Sequence, residues 1–175
     1  MKNKIKMFKY KKYALGYKIV RVNEFGQRVS LFINNSNWTA HYEKRKWTKP
    51  IPGTLILCYK TFKDVVRQLI FGWPTSKGEV WFCLMKWPTR MQELCAFSEA
   101  DELKRFWFGK KDCQCGKINI LKWNIIGAKE IMLLFRLGWV QKESEQSRIF
   151  NRGSLLLRLL IKLFMFYQKI QKRKK

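Results

Sequence analysis

Side chains able to do acid–base or nucleophilic chemistry are scarce in this chain. It has one histidine, His41, and five cysteines among 175 residues. A Cys–His nucleophile would need the fold to bring a distant cysteine to His41, and no local signature supports that pairing. On the strand reading given below, His41 falls on the more polar face, as an ordinary surface histidine does. Cys113-Gln114-Cys115-Gly116 supplies two thiolates at a usable spacing. A structural zinc needs four ligands, however, and no second pair accompanies them. Cys58, Cys83 and Cys95 would have to converge on that loop, and each reads more simply as a small buried hydrophobe. The expectation is a chain with no catalytic residue, no metal site and no cofactor.

Charge is the stronger signal. The formal net charge is +25. Lys2, Lys4, Lys6, Lys9, Lys11, Lys12 and Lys18 crowd the first 18 residues with no acid among them, and residues 152–175 hold eight Lys or Arg, again without an acid. Such a field concentrates polyanions, either nucleic acid or anionic lipid. In the interior, Trp38-Thr39-Ala40-His41-Tyr42-Glu43-Lys44-Arg45-Lys46-Trp47-Thr48-Lys49 interleaves cations with aromatic rings. Phe106-Trp107-Phe108-Gly109-Lys110-Lys111 repeats the pairing. Cations neutralise phosphates and flat rings stack on bases at ~1–3 kcal/mol each. Lys44, Arg45, Lys46, Trp47, Lys49, Lys110 and Lys111 are therefore the expected contacts to nucleic acid or to a nucleoprotein surface. No RNP, KH, helix-turn-helix or zinc-finger pattern is present, so the expected binding is led by the phosphate backbone and weakly selective for sequence.

The elements that must carry these residues follow from periodicity. Tyr17–Val22 and Arg28–Ile33 read as strands joined by a Glu24-Phe25-Gly26-Gln27 turn. Trp38–Glu43 alternates, with Trp38, Ala40 and Tyr42 on one face and His41 on the other. Pro50-Ile51-Pro52-Gly53 interrupts before the apolar run Thr54–Tyr59, a buried strand. Thr61 and Asp64 cap a helix whose Phe62, Val65, Val66, Leu69 and Ile70 share a face, and Gly72 and Pro74 end it. Glu79–Leu84 is a further strand. Beyond it, Ser98–Trp107, Gly127–Leu137 and Gly153–Gln171 read as helices, and Lys117–Trp123 as a short strand. The expected class is α+β: a small, mainly antiparallel sheet with one packed helix, then a helical C-terminal half. The expected divisions are a basic arm over 1–16, a sheet domain over 17–88, and a mostly helical region over 89–175 that ends in a basic amphipathic helix. With five cysteines and no secretory signal, the expected compartment is a reducing cytoplasm, with a position at the inner membrane face as the alternative.

The series Tyr17-Lys18-Ile19-Val20, Ser30-Leu31, Tyr42, Trp47…Pro50…Gly53-Thr54, the helix at Thr61–Ile70 and Glu79-Val80-Trp81 resembles a loose group of small uncharacterised phage-encoded proteins. Some of these have been compared with the ADP-ribosyltransferase fold. The resemblance covers about residues 13–86 and implies an α+β scaffold and a phage origin, with the host's cytoplasm as the compartment, but no activity. A transferase of that kind would use an early-strand Arg or His, a middle Ser or Tyr and a late-strand Glu, an order that Arg21, Tyr59 and Glu79 satisfy. No nucleotide-binding motif accompanies them, so a divergent enzyme ranks last among the function classes.

The tail opens another class. Leu155–Tyr167 is strongly apolar but shorter than the ~20 residues a spanning helix needs, and Arg158 and Lys162 interrupt it. Arg158, Lys162, Lys169 and Lys172 fall on one narrow helical stripe. A wide apolar face edged by cations suits packing against Ile131, Leu134 and Phe135 of the preceding segment. It also suits an anionic membrane or a partner protein.

Overall fold

The computed structural model describes residues 12–30, 39–72, 77–91, 93–95, 107–108, 117–119, 124–142 and 150–173. Within them the first strands are β1 (Tyr13–Val22), β2 (Arg28–Val29), β3 (His41–Tyr42), β4 (Trp47–Thr48) and β5 (Ile56–Tyr59). Helix α1 (Phe62–Gly72) follows, then β6 (Gly78–Lys86), β7 (Thr89–Arg90), β8 (Glu93–Cys95) and β9 (Lys117–Asn119). The chain continues with β10 (Ile125–Ala128), β11 (Glu130–Lys142), β12 (Phe150–Gly153) and α2 (Leu155–Arg173).

Three long antiparallel strands form the centre. β1 pairs with β6 from Tyr13↔Lys86 to Arg21↔Gly78, and β6 pairs with β11 from Glu130↔Lys86 to Val140↔Gly78. The sheet extends as β12-β11-β6-β1-β5-β10-β7, with β2 and β3 beyond one end of β1 and β4 on the outer edge of β11. β8 and β9 form a separate pair. Strands on both sides of Pro88 thus share one sheet.

Both faces of this sheet are covered, which explains why β1 and β6 are apolar at odd and even positions alike. Ile19, Tyr59 and Val80 pack under Val65, Val66, Leu69 and Ile70 of α1 and under Leu157 and Ile161 of α2. Val20, Trp81, Cys83 and Met85 point the other way, into a second cluster with Tyr42, Cys58, Ile131 and Leu133. That second face is closed by a strap. β3 pairs with β2 outside β1, and five residues later β4 pairs with β11 on the far side of β6, so the chain crosses over the central strands.

Several expectations are met. The β1–β2 hairpin turns through Gly26, at φ 74°. In α1, Thr61 Oγ1 accepts from the Asp64 amide at 3.3 Å, the N-cap bond, and the Thr61 hydroxyl donates to the Asp64 carboxylate. Tyr42 is buried and His41 exposed, as the alternation requires.

The α+β class stands, but the helical C-terminal half does not. Gly127–Leu137, read as a helix, lies in β10 and β11. Its apolar run serves two faces, and register shifts at Leu133/Phe135 and Arg136/Gly138 break the alternation that marks a strand. Among the described residues, α2 is the one long C-terminal helix. The helix expected over Ser98–Trp107 lies outside the described residues except for Trp107, and most of the expected Lys117–Trp123 strand does too.

α2 also seats differently from the expectation. Ile131 belongs to the strap-side cluster and Phe135 is exposed, so neither receives the helix. Leu157 and Ile161 pack instead beside Val140, with Leu137 and Phe164 alongside. Gly138 lets the start of α2 approach, since a Cβ there would meet Ser154 and Leu157 at 3.0–3.2 Å.

Candidate nucleic-acid interface

The residues nearest to a catalytic arrangement are held in structural roles. Glu79, 3% exposed, accepts from Arg28 Nε at 2.7 Å and Trp81 Nε1 at 3.0 Å on one oxygen, and from Arg136 at 2.9 Å on the other. Burial alone would raise its pKa. The hydrogen bonds from Arg136, Trp81 and Arg28, with the Arg28 charge, outweigh that and hold the carboxyl below the ordinary glutamate range. A carboxylate ionised and saturated in this way is a poor proton donor. Arg21 and Tyr59, its partners in a transferase reading, lie with the helix-side residues, whereas Glu79 faces the strap with Val20 and Trp81. The three do not converge. Burial also pushes the Tyr59 hydroxyl far above its usual range, which keeps it neutral.

The remaining polar groups under the strap complete a buried network. Lys18 donates to the Leu57 carbonyl at 2.8 Å and lies 5.4 Å from the Tyr42 ring centre, while the Tyr42 hydroxyl meets Ser30 Oγ at 3.2 Å. Cys58 and Cys83 are buried beside Lys18. The hydrogen bond to Cys58, with burial, pushes the Cys83 thiol up. These contacts satisfy buried polar atoms and fix the strap over the sheet. No cluster of three or more metal-ligating side chains occurs among the described residues, and Cys113 and Cys115 lie outside them.

A different assembly forms at one end of the sheet, where β1 begins, β6 ends and β11 begins. Register places Tyr13, Lys86 and Glu130 in one row, and Lys49 follows Thr48, the partner of Ile131. Two backbone hydrogen bonds tie the segments just beyond this row. The Trp87 amide donates to the Lys12 carbonyl at 2.9 Å, and the Lys129 amide to the Lys86 carbonyl at 3.1 Å. Lys12, Lys49, Lys86 and Lys129 are thereby gathered from four chain segments.

Two rings stand among these cations. Trp87 is 49% exposed and Tyr13 46% exposed. Trp87 has φ 49°, a conformation unfavourable for a bulky side chain, and the residue that follows is Pro88. Strain of this kind persists only where the surroundings impose it, here through the bond to Lys12.

The β3–β4 turn adds a second row along the outer edge of β11. Lys44, Arg45 and Lys46 are exposed. The Arg45 amide donates to the Leu133 carbonyl at 2.8 Å, with Arg45 itself at φ 61°, so the turn is pinned. Lys46 pairs with Glu43 at 2.5 Å and Lys86 with Glu130 at 2.8 Å. Lys12, Lys44, Arg45, Lys49 and Lys129 have no carboxylate partner among the described residues.

The fold thus brings Lys44, Arg45, Lys46 and Lys49 together on the surface. Trp47 departs from the stacking role expected of it, being half-buried with Lys86 Nζ 3.9 Å from its ring centre. Lys110 and Lys111 lie outside the described residues. Lys12, Tyr13, Lys86, Trp87 and Lys129 were not legible as a group, because no stretch of sequence contains them. The available signal is local: Lys-Tyr where one strand begins, and Lys-Trp-Pro where another ends. In the tail, Arg158 is half-buried and Lys162 exposed, and Lys169 and Lys172 continue the same stripe by helical position.

The architecture is that of an antiparallel α+β protein with a basic, aromatic sheet end. No protein-family model, no curated protein and no solved structure gives a significant match to the chain.

Proposed function

We propose that this is a non-enzymatic protein that binds nucleic acid, single strands in preference to duplex, at the basic end of the sheet. The observation that carries the reading is that strand register and two backbone hydrogen bonds gather Lys12, Lys49, Lys86 and Lys129 at the sheet end that carries the exposed rings of Trp87 and Tyr13. A cationic track neutralises successive phosphates, and exposed rings offer π-faces on which unpaired bases stack whatever their identity. Lys44, Arg45 and Lys46 extend the track along β11. Duplex bases are already stacked on one another, so the rings favour a single strand. The net charge of +25 accelerates encounter with any such polyanion.

The test is fluorescence anisotropy with labelled single- and double-stranded DNA and RNA across a salt series. The expected result is binding that weakens steeply with salt and favours single strands. Trp87→Ala is expected to lower single-strand affinity by roughly tenfold, within the ~1–3 kcal/mol that a stacked base contributes. Absence of binding at moderate salt, or single-strand affinity untouched by Trp87→Ala, would overturn the reading.

A further inference from the structure

The first turns of α2 pack near Gly138 and Val140, at the opposite end of β11 from the basic cluster. The helix spends little of its apolar surface on the body. Leu157 and Ile161 are buried and Phe164 is partly so. Leu155, Leu156, Leu159, Leu160, Leu163, Phe166, Tyr167 and Ile170 all remain exposed, Leu155 at 72% and Leu163 at 63%. At roughly 100° per residue these eight occupy one continuous arc of about 140°. From Leu155 to Ile170 no charged or small residue interrupts it. The buried stripe borders the arc on one side. On the other lies a stripe carrying Arg158, Lys162, Lys169 and Lys172. An exposed apolar face of this width on a folded protein marks a binding surface.

We infer that α2 lies in the interface of an anionic lipid bilayer, with its apolar arc in the acyl region and its basic stripe against the headgroups. Three observations select lipid over other occupants. The charges of the stripe, which also carries Met165, are all positive and residues 152–175 contain no acid, so the complementary surface is negative. A second copy would bring another acid-free helix from a chain of charge +25 against the first. A protein groove takes a narrow line of anchors at i, i+3/i+4 and i+7, whereas a wide arc of long, flexible side chains matches a medium that demands no fixed shape. No helix among the described residues is long and apolar enough to cross a membrane, and α2, about 28 Å long, fits an in-plane position. This surface is separate from the proposed nucleic-acid site, and neither inference depends on the other.

The test is flotation of the full chain with vesicles of pure phosphatidylcholine and vesicles containing a third phosphatidylglycerol. The expected result is a preference for the anionic vesicles of roughly several-hundredfold, since each of the four Lys or Arg of the stripe, held near the surface, contributes about fivefold. Leu159→Asp/Leu163→Asp, at two exposed positions, is expected to abolish flotation while leaving the circular dichroism spectrum and the oligonucleotide affinity unchanged. Should that variant not fold, Arg158→Gln/Lys162→Gln is expected to lower the anionic preference by at least tenfold. Three outcomes would overturn the inference: no flotation, flotation indifferent to lipid charge, or flotation indifferent to these substitutions. Sedimentation of the lipid-free protein identifies the alternative of a second copy, because a stable dimer dissociated by Leu159→Asp/Leu163→Asp would mean that α2 covers itself.

Discussion

Replacing Glu79 by Gln keeps the side-chain shape and removes the charge that Arg28 and Arg136 share. In the wild type both guanidiniums make charge-assisted hydrogen bonds to a carboxylate that is only 3% exposed. The amide oxygen of Gln can keep the bonds from Arg28 and Trp81, but its NH2 then faces Arg136. Each charge-assisted bond contributes ~1.5–3 kcal/mol and a neutral one ~0.5–1.5. Arg28 and Arg136 have side chains 32% and 46% exposed, so water recovers part of the loss at each. The expected destabilisation is about 2 kcal/mol at pH 7, which for a chain of this size lowers Tm by roughly 4–8 °C.

The pH dependence is a sharper check. The folded-state carboxyl titrates below its unfolded value. Its contribution is therefore complete above the unfolded pKa of about 4.3 and is lost as pH falls through the lower folded value. Urea unfolding followed by tryptophan fluorescence should show a gap between wild type and Glu79→Gln that is constant from pH 7 to 5 and narrows as pH falls below about 4. A variant within 0.5 kcal/mol of wild type at pH 7 would refute the account. So would a gap that stays the same down to pH 3.

Three further outcomes are expected. Thr61→Ala removes the α1 cap and one partner of the buried Asp64, at a cost of about 1–2 kcal/mol in urea unfolding. Gly153→Ala puts a Cβ 2.5 Å from the Trp139 carbonyl oxygen, at a residue with φ 144°, and should cost about 2 kcal/mol or more. The matching loss of α2 helicity would appear in circular dichroism. Lys49→Gln/Lys129→Gln should lower single-strand affinity and flatten the salt slope by about 0.7 for each phosphate contact removed, read by anisotropy.

Local signals made much of the fold legible. The Thr61/Asp64 cap and the Gly26 turn each depend on a few neighbouring residues and are found where the sequence places them, and α2 runs Leu155–Arg173, two residues later at each end than the expected Gly153–Gln171. Strand β11 was not legible. Ile131 and Leu133 face the strap, Leu137 and Val140 face the helices, and two bulges shift the parity between them. The resulting apolar run carries no period of two to find. The basic end was hidden for a different reason. Lys12, Lys49, Lys86 and Lys129 become neighbours only through strand register, which is a property of the closed sheet. Lys44, Arg45 and Lys46 were visible because a single tight turn holds all three.

The central position of β11 bears on how the protein is made. This strand pairs with β6, β4 and β12, yet most of the chain precedes it. A ribosome that has delivered residues 1–129 has released β1, α1 and β6, but nothing yet caps the outer edge of β6 or anchors β4. Nine residues of apolar strand, Gly78–Lys86, then present unpaired amides and carbonyls, the kind of edge to which a second nascent chain can add. Completion of the sheet is consequently a late, long-range event that local helix formation cannot hasten. A fragment ending at Pro88 would keep that edge open for good, and would aggregate unless β11 were supplied to it in trans.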